Sequence, residues 1–291
     1  MFAAIEAGGT KFNVALAADV NNILVRHTIP TTSPHETLSQ VIEFIHANEI
    51  DKSIKALGLA SFGPIDLDRA SSSYGHILAT PKTAWKNTDL LGILQKEFML
   101  PVAVDTDVNA AALAEFDALK DKKSSSLLYV TIGTGVGVGI VLNGETIKTP
   151  MHPEAGHMYI PQNVLLDSFS GCCPFHGNCL EGLASGTAMQ KRWGVKGIEL
   201  PDEHEAWQLE AEYLALMCVN LFRMYAPQKI VLGGGVMQRS HLLPMVHTNF
   251  EKLMGGYHTV PPEEVSKLIV APVHNDPGLL GALMLAQNAT N

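Results

Sequence analysis

Cysteine is scarce. The 291-residue chain has four, at positions 172, 173, 179 and 218, too few to staple a chain of this length with disulfides. Stability must come from a core, and hydrophobic residues at 46% against charged residues at 17% exclude a disordered chain. No run of about 18 apolar residues occurs, so no helical membrane span is expected. No stretch concentrates cations either: 20 Lys and Arg face 29 Asp and Glu, for a net charge of −9. Binding to nucleic acid, which rests on neutralising phosphates with clustered cations, is therefore not expected. Met1-Phe2-Ala3-Ala4-Ile5 shows neither the basic n-region nor the apolar h-region of a secretory leader, and the cytoplasm is the expected compartment. Also missing are the Walker pattern G-x-x-x-x-G-K-[ST] and the dinucleotide pattern G-x-G-x-x-G, so neither of those nucleotide folds is indicated.

What is present alternates strands with helices. Residues 2–16 read as strand, glycine turn, strand, and 23–29 as a third strand. Pro34 opens a helix whose apolar positions Leu38, Val41, Ile42 and Ile45 keep helical spacing. Strands at 54–61 and 101–106 and helices at 88–98 and 109–119 follow, with a long loop or lid at 71–85. This alternation predicts an α/β sheet with crossover connections. The pattern then returns. A shift of 125 residues lays Gly8-Gly9-Thr10 on Gly133-Thr134-Gly135, with apolar strands on both sides of each. The echo predicts a duplicated domain, the alternative being chance similarity of glycine-rich turns. The expected domains are 1–119 joined by a C-terminal helix at about 277–291, and 120–276, with the boundary near 120–126.

Three glycine turns at strand ends carry the first chemical signal: Gly8-Gly9-Thr10-Lys11, Gly133-Thr134-Gly135 and Gly233-Gly234-Gly235. Backbone without Cβ can approach a phosphate closely, although hairpins also use glycine for geometry alone. The second signal is Asp107, in Val104-Asp105-Thr106-Asp107-Val108-Asn109, where a strand runs into a helix. Two readings stay open: a helix cap, or a general base that takes a proton from an attacking hydroxyl.

The third signal is a metal site. Cys173, His176 and Cys179 form C-x-x-H-x-x-C, and His157 completes a tetrahedral set suited to structural zinc. Cys172 competes with Cys173 for this role, and buried or incidental thiols are the plain alternative. Cys218, inside an apolar helical run, is a core residue. Glu154 and Glu181 flank the loop, placed for bidentate bonding to sugar hydroxyls, though Glu181 also suits a helix start.

These stretches, with Ser61-Phe62-Gly63-Pro64, Ala79 to Trp85, His152 to His157 and Val231 to Met237, resemble the ROK family (repressors, open reading frames, kinases), and within it the bacterial fructokinases. The resemblance implies the two-domain actin-like/hexokinase (ribonuclease H-like) α/β fold with an active-site cleft between the domains. It implies ATP, Mg²⁺ and structural Zn²⁺, a hexose substrate, and a homodimer. Asp107 becomes the catalytic base. Glu154, His157 and Glu181 would surround the sugar, with Asn109 and Gly63 close by. Thr10, Lys11, Thr131 and Thr134 would line the phosphate path beside Gly8, Gly9, Gly133 and Gly135, and Gly233 and Gly234 would lie near the adenosine. Three positions depart from the wider family: Glu6 replaces an aspartate, Thr106 an asparagine, and His176 a cysteine. The longer Glu6 carboxylate would reach Mg²⁺ through water.

The reaction expected is phosphorylation of D-fructose to fructose 6-phosphate, with a glucokinase or broad hexokinase as the alternative enzyme. A sugar-responsive repressor or non-catalytic sugar sensor is the remaining rival. It is disfavoured because the first glycine turn starts at residue 8, with no helix-turn-helix ahead of it.

Overall fold

The computed structural model describes residues 1–49, 53–119, 124–149, 151–257 and 260–290. Residues 120–123 of the expected boundary, and residue 291, lie outside the described residues. The chain forms two compact units. One comprises Met1–Lys123, Gly139–Pro153 and His274–Asn291, and the other Ser124–Val138 and Glu154–Val273. The first unit thus takes 139–153 from the block expected at 120–276. The reason is local bonding: the Ile140 N–H donates to Asn109 Oδ1 at 3.1 Å, and the Thr146 hydroxyl donates to Asp105 Oδ2 at 2.8 Å.

In the first unit, β1 (Phe2–Ala7) and β2 (Lys11–Asp19) form an antiparallel hairpin around the first glycine turn, and β3 (Asn22–Pro30) adds to β2. Helix α1 (Pro34–Asn48) starts where Ser33 Oγ accepts from the Glu36 N–H and Pro34 presets φ. It buries Leu38, Val41 and Ile45. β4 (Leu57–Ser61) is buried along its whole length and pairs parallel with β1. A small ribbon of β5 (His76–Ile77) and β6 (Thr88–Asp89) brackets most of the expected loop. Trp85 pins that loop, since its ring is buried and its Nε1 donates to Thr32 O at 2.8 Å. Helix α2 (Leu90–Phe98) leads to β7 (Val102–Thr106), parallel to β4, and then to α3 (Asp107–Asp117). The sheet order is β3-β2-β1-β4-β7.

The second pass begins with β8 (Ser126–Ile132), β9 (Val136–Leu142) and β10 (Glu145–Thr146). Two short helices follow, α4 (Leu180–Ala184) and α5 (Gly186–Trp193), divided where Ser185 caps the second through the Ala188 N–H. Then come α6 (Ala206–Tyr225), β11 (Lys229–Gly233), α7 (Leu242–Met254), α8 (Pro262–Leu268) and β12 (Ile269–Val270). Its sheet order is β10-β9-β8-β11-β12. Each sheet is a hairpin continued by two parallel strands, so the sequence echo corresponds to a topological one.

The last helix, α9 (Pro277–Asn288), packs in the first unit on β1, β4 and α3. Glycine makes this approach possible. A Cβ on Gly58 would overlap Ala282 O, and one on Gly281 would overlap Ala110 O. Ala4, Ala60, Ala110, Leu279 and Leu283 form a core there, while Ile5, Phe12, Leu16, Leu38 and Leu59 form another.

Candidate active site

Strand β7 delivers Asp107 to the first position of α3. The cap belongs to Thr106, whose Oγ1 accepts from the Asn109 N–H at 3.1 Å. Capping therefore does not account for Asp107, a half-buried carboxylate whose Oδ1 accepts from the Val108 N–H at 2.9 Å. Asn109, expected near the sugar, follows in the first turn of α3. It is fully buried, donating Nδ2 to Asp105 Oδ1 at 2.7 Å while Oδ1 accepts from Ile140. Both ends of the amide are engaged inside the first unit.

The first glycine turn closes with the Gly8 N–H donating to Lys11 O at 3.0 Å, and the Thr31 hydroxyl donates to Gly8 O at 2.8 Å. Gly9 lies beside this turn, with Thr10 and Lys11 exposed. Behind it is Glu6, which burial lifts above the ordinary carboxylate range; the Asn13 amide, donating at 2.6 Å, opposes this. Gly63 follows β4 and is half-buried.

The second unit gathers the other expected residues. Its glycine turn closes with the Gly133 N–H donating to Gly135 O at 2.9 Å, with Thr131 half-buried and Thr134 exposed. Glu181 is built into this turn: its Oε2 accepts from the Val136 N–H at 3.0 Å, and a Cβ on Gly135 would overlap that oxygen. Thus one expected sugar carboxylate and one expected phosphate turn share a hydrogen bond. Glu154 immediately precedes the 3₁₀ turn Ala155–His157, with no capping bond from its side chain. Burial foremost, then the charge of Glu181, raises its carboxyl, although the residue is open enough to solvent to blunt the shift. Gly234, at φ +89°, sits against the Ile132 backbone, and Gly233 against the Tyr129 ring.

His157, Cys173, His176 and Cys179 place their ligand atoms within 4.8 Å of one another. His157 Nδ1 is 3.5 Å from Cys179 Sγ and 3.6 Å from Cys173 Sγ, and His176 Nδ1 is 3.6 Å from Cys173 Sγ. Zinc–sulfur bonds of ~2.3 Å and zinc–nitrogen bonds of ~2.1 Å give tetrahedral S···N edges of roughly 3.6 Å. The donor set and its spacing fit zinc. Cys173 rather than Cys172 occupies the cluster, and Cys218 is buried in α6.

The loop between His157 and Cys173 has an anchor that sequence reading missed. Arg192 donates to both Asp167 oxygens at 3.1 Å, Tyr213 donates to Asp167 Oδ2 at 2.6 Å, and the guanidinium lies 4.6 Å from the Phe169 ring centre. No spacing rule links residues 167, 192 and 213. Asp105 was equally overlooked, although it stands two residues before Asp107 in the quoted motif.

Two hairpin-led α/β sheets with matching topology are those of the actin-like fold. The ROK family profile matches residues 2–289. A fructokinase from Streptococcus mutans is 42% identical over 99% of this chain and 97% of its own length. A glucokinase from Halalkalibacterium halodurans is 26% identical over 100% of this chain and 96% of its own. The solved ROK glucokinase from Streptomyces griseus, in complex with glucose and AMPPNP, superposes with a TM-score of 0.79 at 21% identity, covering 99% of each chain. The chain belongs to the ROK family. No described helix is long and apolar enough to cross a membrane.

Proposed function

We propose that this protein is a fructokinase, transferring the γ-phosphoryl group of ATP to the 6-hydroxyl of D-fructose. The observation that carries the sugar is the 42% identity to a fructokinase over nearly the whole chain, against 26% to a glucokinase. Asp107, whose capping role is taken by Thr106, accepts the proton of the attacking hydroxyl. Positioning and electrostatics dominate phosphoryl transfer, so the remaining residues bind and orient. Glu154, His157 and Glu181 accept from and donate to sugar hydroxyls. Gly8, Gly9, Thr10, Lys11, Thr131, Gly133, Thr134 and Gly135 take the phosphates, and Gly233 and Gly234 the nucleoside.

Mg²⁺ enters with ATP, and when bound it neutralises charge on the phosphate oxygens. Glu6 is the carboxylate this chain offers on that side. Zinc, held by His157, Cys173, His176 and Cys179, cross-links the loop between the two sugar glutamates and takes no part in the chemistry. A homodimer belongs to this reading, and sedimentation at micromolar concentration tests it.

The deciding experiment is ADP release with fructose, mannose, glucose and N-acetylated hexoses, run on the parent and on Asp107→Asn. Fructose should give the highest kcat/KM, and Asp107→Asn should lower turnover by about 10²–10⁴-fold. A higher efficiency with glucose would make the enzyme a glucokinase. No stimulation by any hexose would end the kinase reading.

A further inference from the structure

Asp105 is a carboxylate buried beside the candidate base. It is 2% exposed, on the strand that delivers Asp107. Taking a carboxylate out of water costs several kcal/mol unless bonds replace the hydration. Here four groups converge, three hydrogen-bond donors and one ammonium. The Thr106 N–H donates to Oδ1 at 2.8 Å, and Asn109 Nδ2 donates to the same oxygen at 2.7 Å. The Thr146 hydroxyl donates to Oδ2 at 2.8 Å, and the Lys148 ammonium stands 3.6 Å from it. These groups come from β7 itself, the first turn of α3, β10 and the segment after β10. Asn109 passes the tie on to β9 through Ile140, and Gly139 lets β9 approach so closely that a Cβ would overlap Val108 O.

Asp107 lies between two of these clamped residues, Thr106 and Asn109. We propose that Asp105 is the positioning residue for the catalytic base, locking the first turn of α3 against the β9–β10 segment so that Asp107 is held in one place. The inference rests on Asp107 being the base. A displacement of about 1 Å in a reacting group is enough to lose ~100-fold in rate, so a rigid mount for a general base has a kinetic effect out of proportion to its stability effect. Asp105 touches no substrate in this scheme. Asn109 acts through the same clamp, which reassigns it from sugar contact to support.

The test is steady-state kinetics with fructose and ATP on Asp105→Ala, Asp105→Asn, Asn109→Ala and the Asp105→Ala/Asn109→Ala double variant, each with a melting curve. Asp105→Ala should lower kcat roughly 10- to 100-fold, with the fructose KM changed by less than about 3-fold. Asp105→Asn, which keeps an acceptor for Thr106 and Asn109, should recover at least half of the loss on a logarithmic scale. The double variant should be no slower than the slower single one, as expected for two parts of one clamp. Unchanged kcat in folded Asp105→Ala overturns the proposal, as does equal damage from Ala and Asn, or a loss carried by the fructose KM. If Asp105→Ala does not fold, Thr146→Val removes one donor while keeping shape. It should lower kcat with KM unchanged, and an unchanged kcat again overturns the proposal. A collapse of turnover in Asp107→Asn beside normal Asp105 variants refutes this inference alone, whereas normal Asp107→Asn refutes the base itself.

Discussion

Glu210 on α6 is a carboxyl sealed inside the second unit, and neither oxygen has a hydrogen-bond partner among the described residues. Burial pushes it well above the ordinary carboxylate range, and the charge of Arg192 pulls it only partway back. The sign follows from proton binding. A raised folded value means the native state holds a proton that the unfolded chain releases. Stability associated with Glu210 is therefore complete below the unfolded pKa, near ~4.3, and is lost as pH rises through the folded value. Glu210→Gln removes this dependence. Its melting temperature should exceed the parent's by about 2–4 °C at pH 8, with the gap narrowing toward pH 5. A gap of the same size at both pH values would mean that the carboxyl does not titrate as its burial implies. Residues like this are invisible in sequence: Glu210 sits in an ordinary helical run, and only the neighbours of α6 show that it is enclosed.

At the scale of elements, local rules decided most of what formed. Ser33, Asp89, Thr106 and Ser185 each cap the helix that follows, as short polar side chains at helix starts do. The period of Leu38, Val41 and Ile45 matched the face that α1 buries. Which residue of Thr106-Asp107 takes the cap was not legible in the sequence, because both types suit it. Contact between elements was also hidden. Gly58 reads as an interruption in an apolar strand, yet its function is to let α9 lie on β4. Gly58→Ala should push against Ala282 O and lower stability by about 1–3 kcal/mol. Gly235→Ala, where a Cβ meets nothing within 4 Å, should stay within about 0.5 kcal/mol. Chemical denaturation of the two variants measures the difference, and equal midpoints would contradict the packing argument.

The Cys/His cluster belongs to the second unit alone. A zinc held there joins residue 157 to the 173–179 loop, in a stretch with little regular structure of its own. Metal binding free energy is then folding free energy for that region and for nothing in the first unit. Chelation should lower the melting temperature and speed hydrogen exchange across 154–193, while exchange in β1, β4 and α9 stays unchanged. Elemental analysis should find one zinc per chain in protein purified without chelator. Cys173→Ser should lose it and Cys218→Ser should keep it. A chelator that leaves the 154–193 exchange untouched would remove zinc from the account.

The sequence by itself determined whatever depends on neighbours along the chain. The glycine turns, the C-x-x-H-x-x-C loop, the strand–helix alternation and its return after 125 residues are short-range patterns, each set by backbone freedom, ligand reach or side-chain period. Together they were enough for the ROK resemblance. Tertiary structure decided what depends on enclosure. It buried Asn109 behind Ile140, bonded Glu181 to the second glycine turn, bound Asp167 to Arg192 and Tyr213, and moved 139–153 into the first unit. Burial and hydrogen-bond partnership are properties of atoms brought together from distant parts of the chain, and no spacing rule specifies which strand or helix will stand opposite a given side chain.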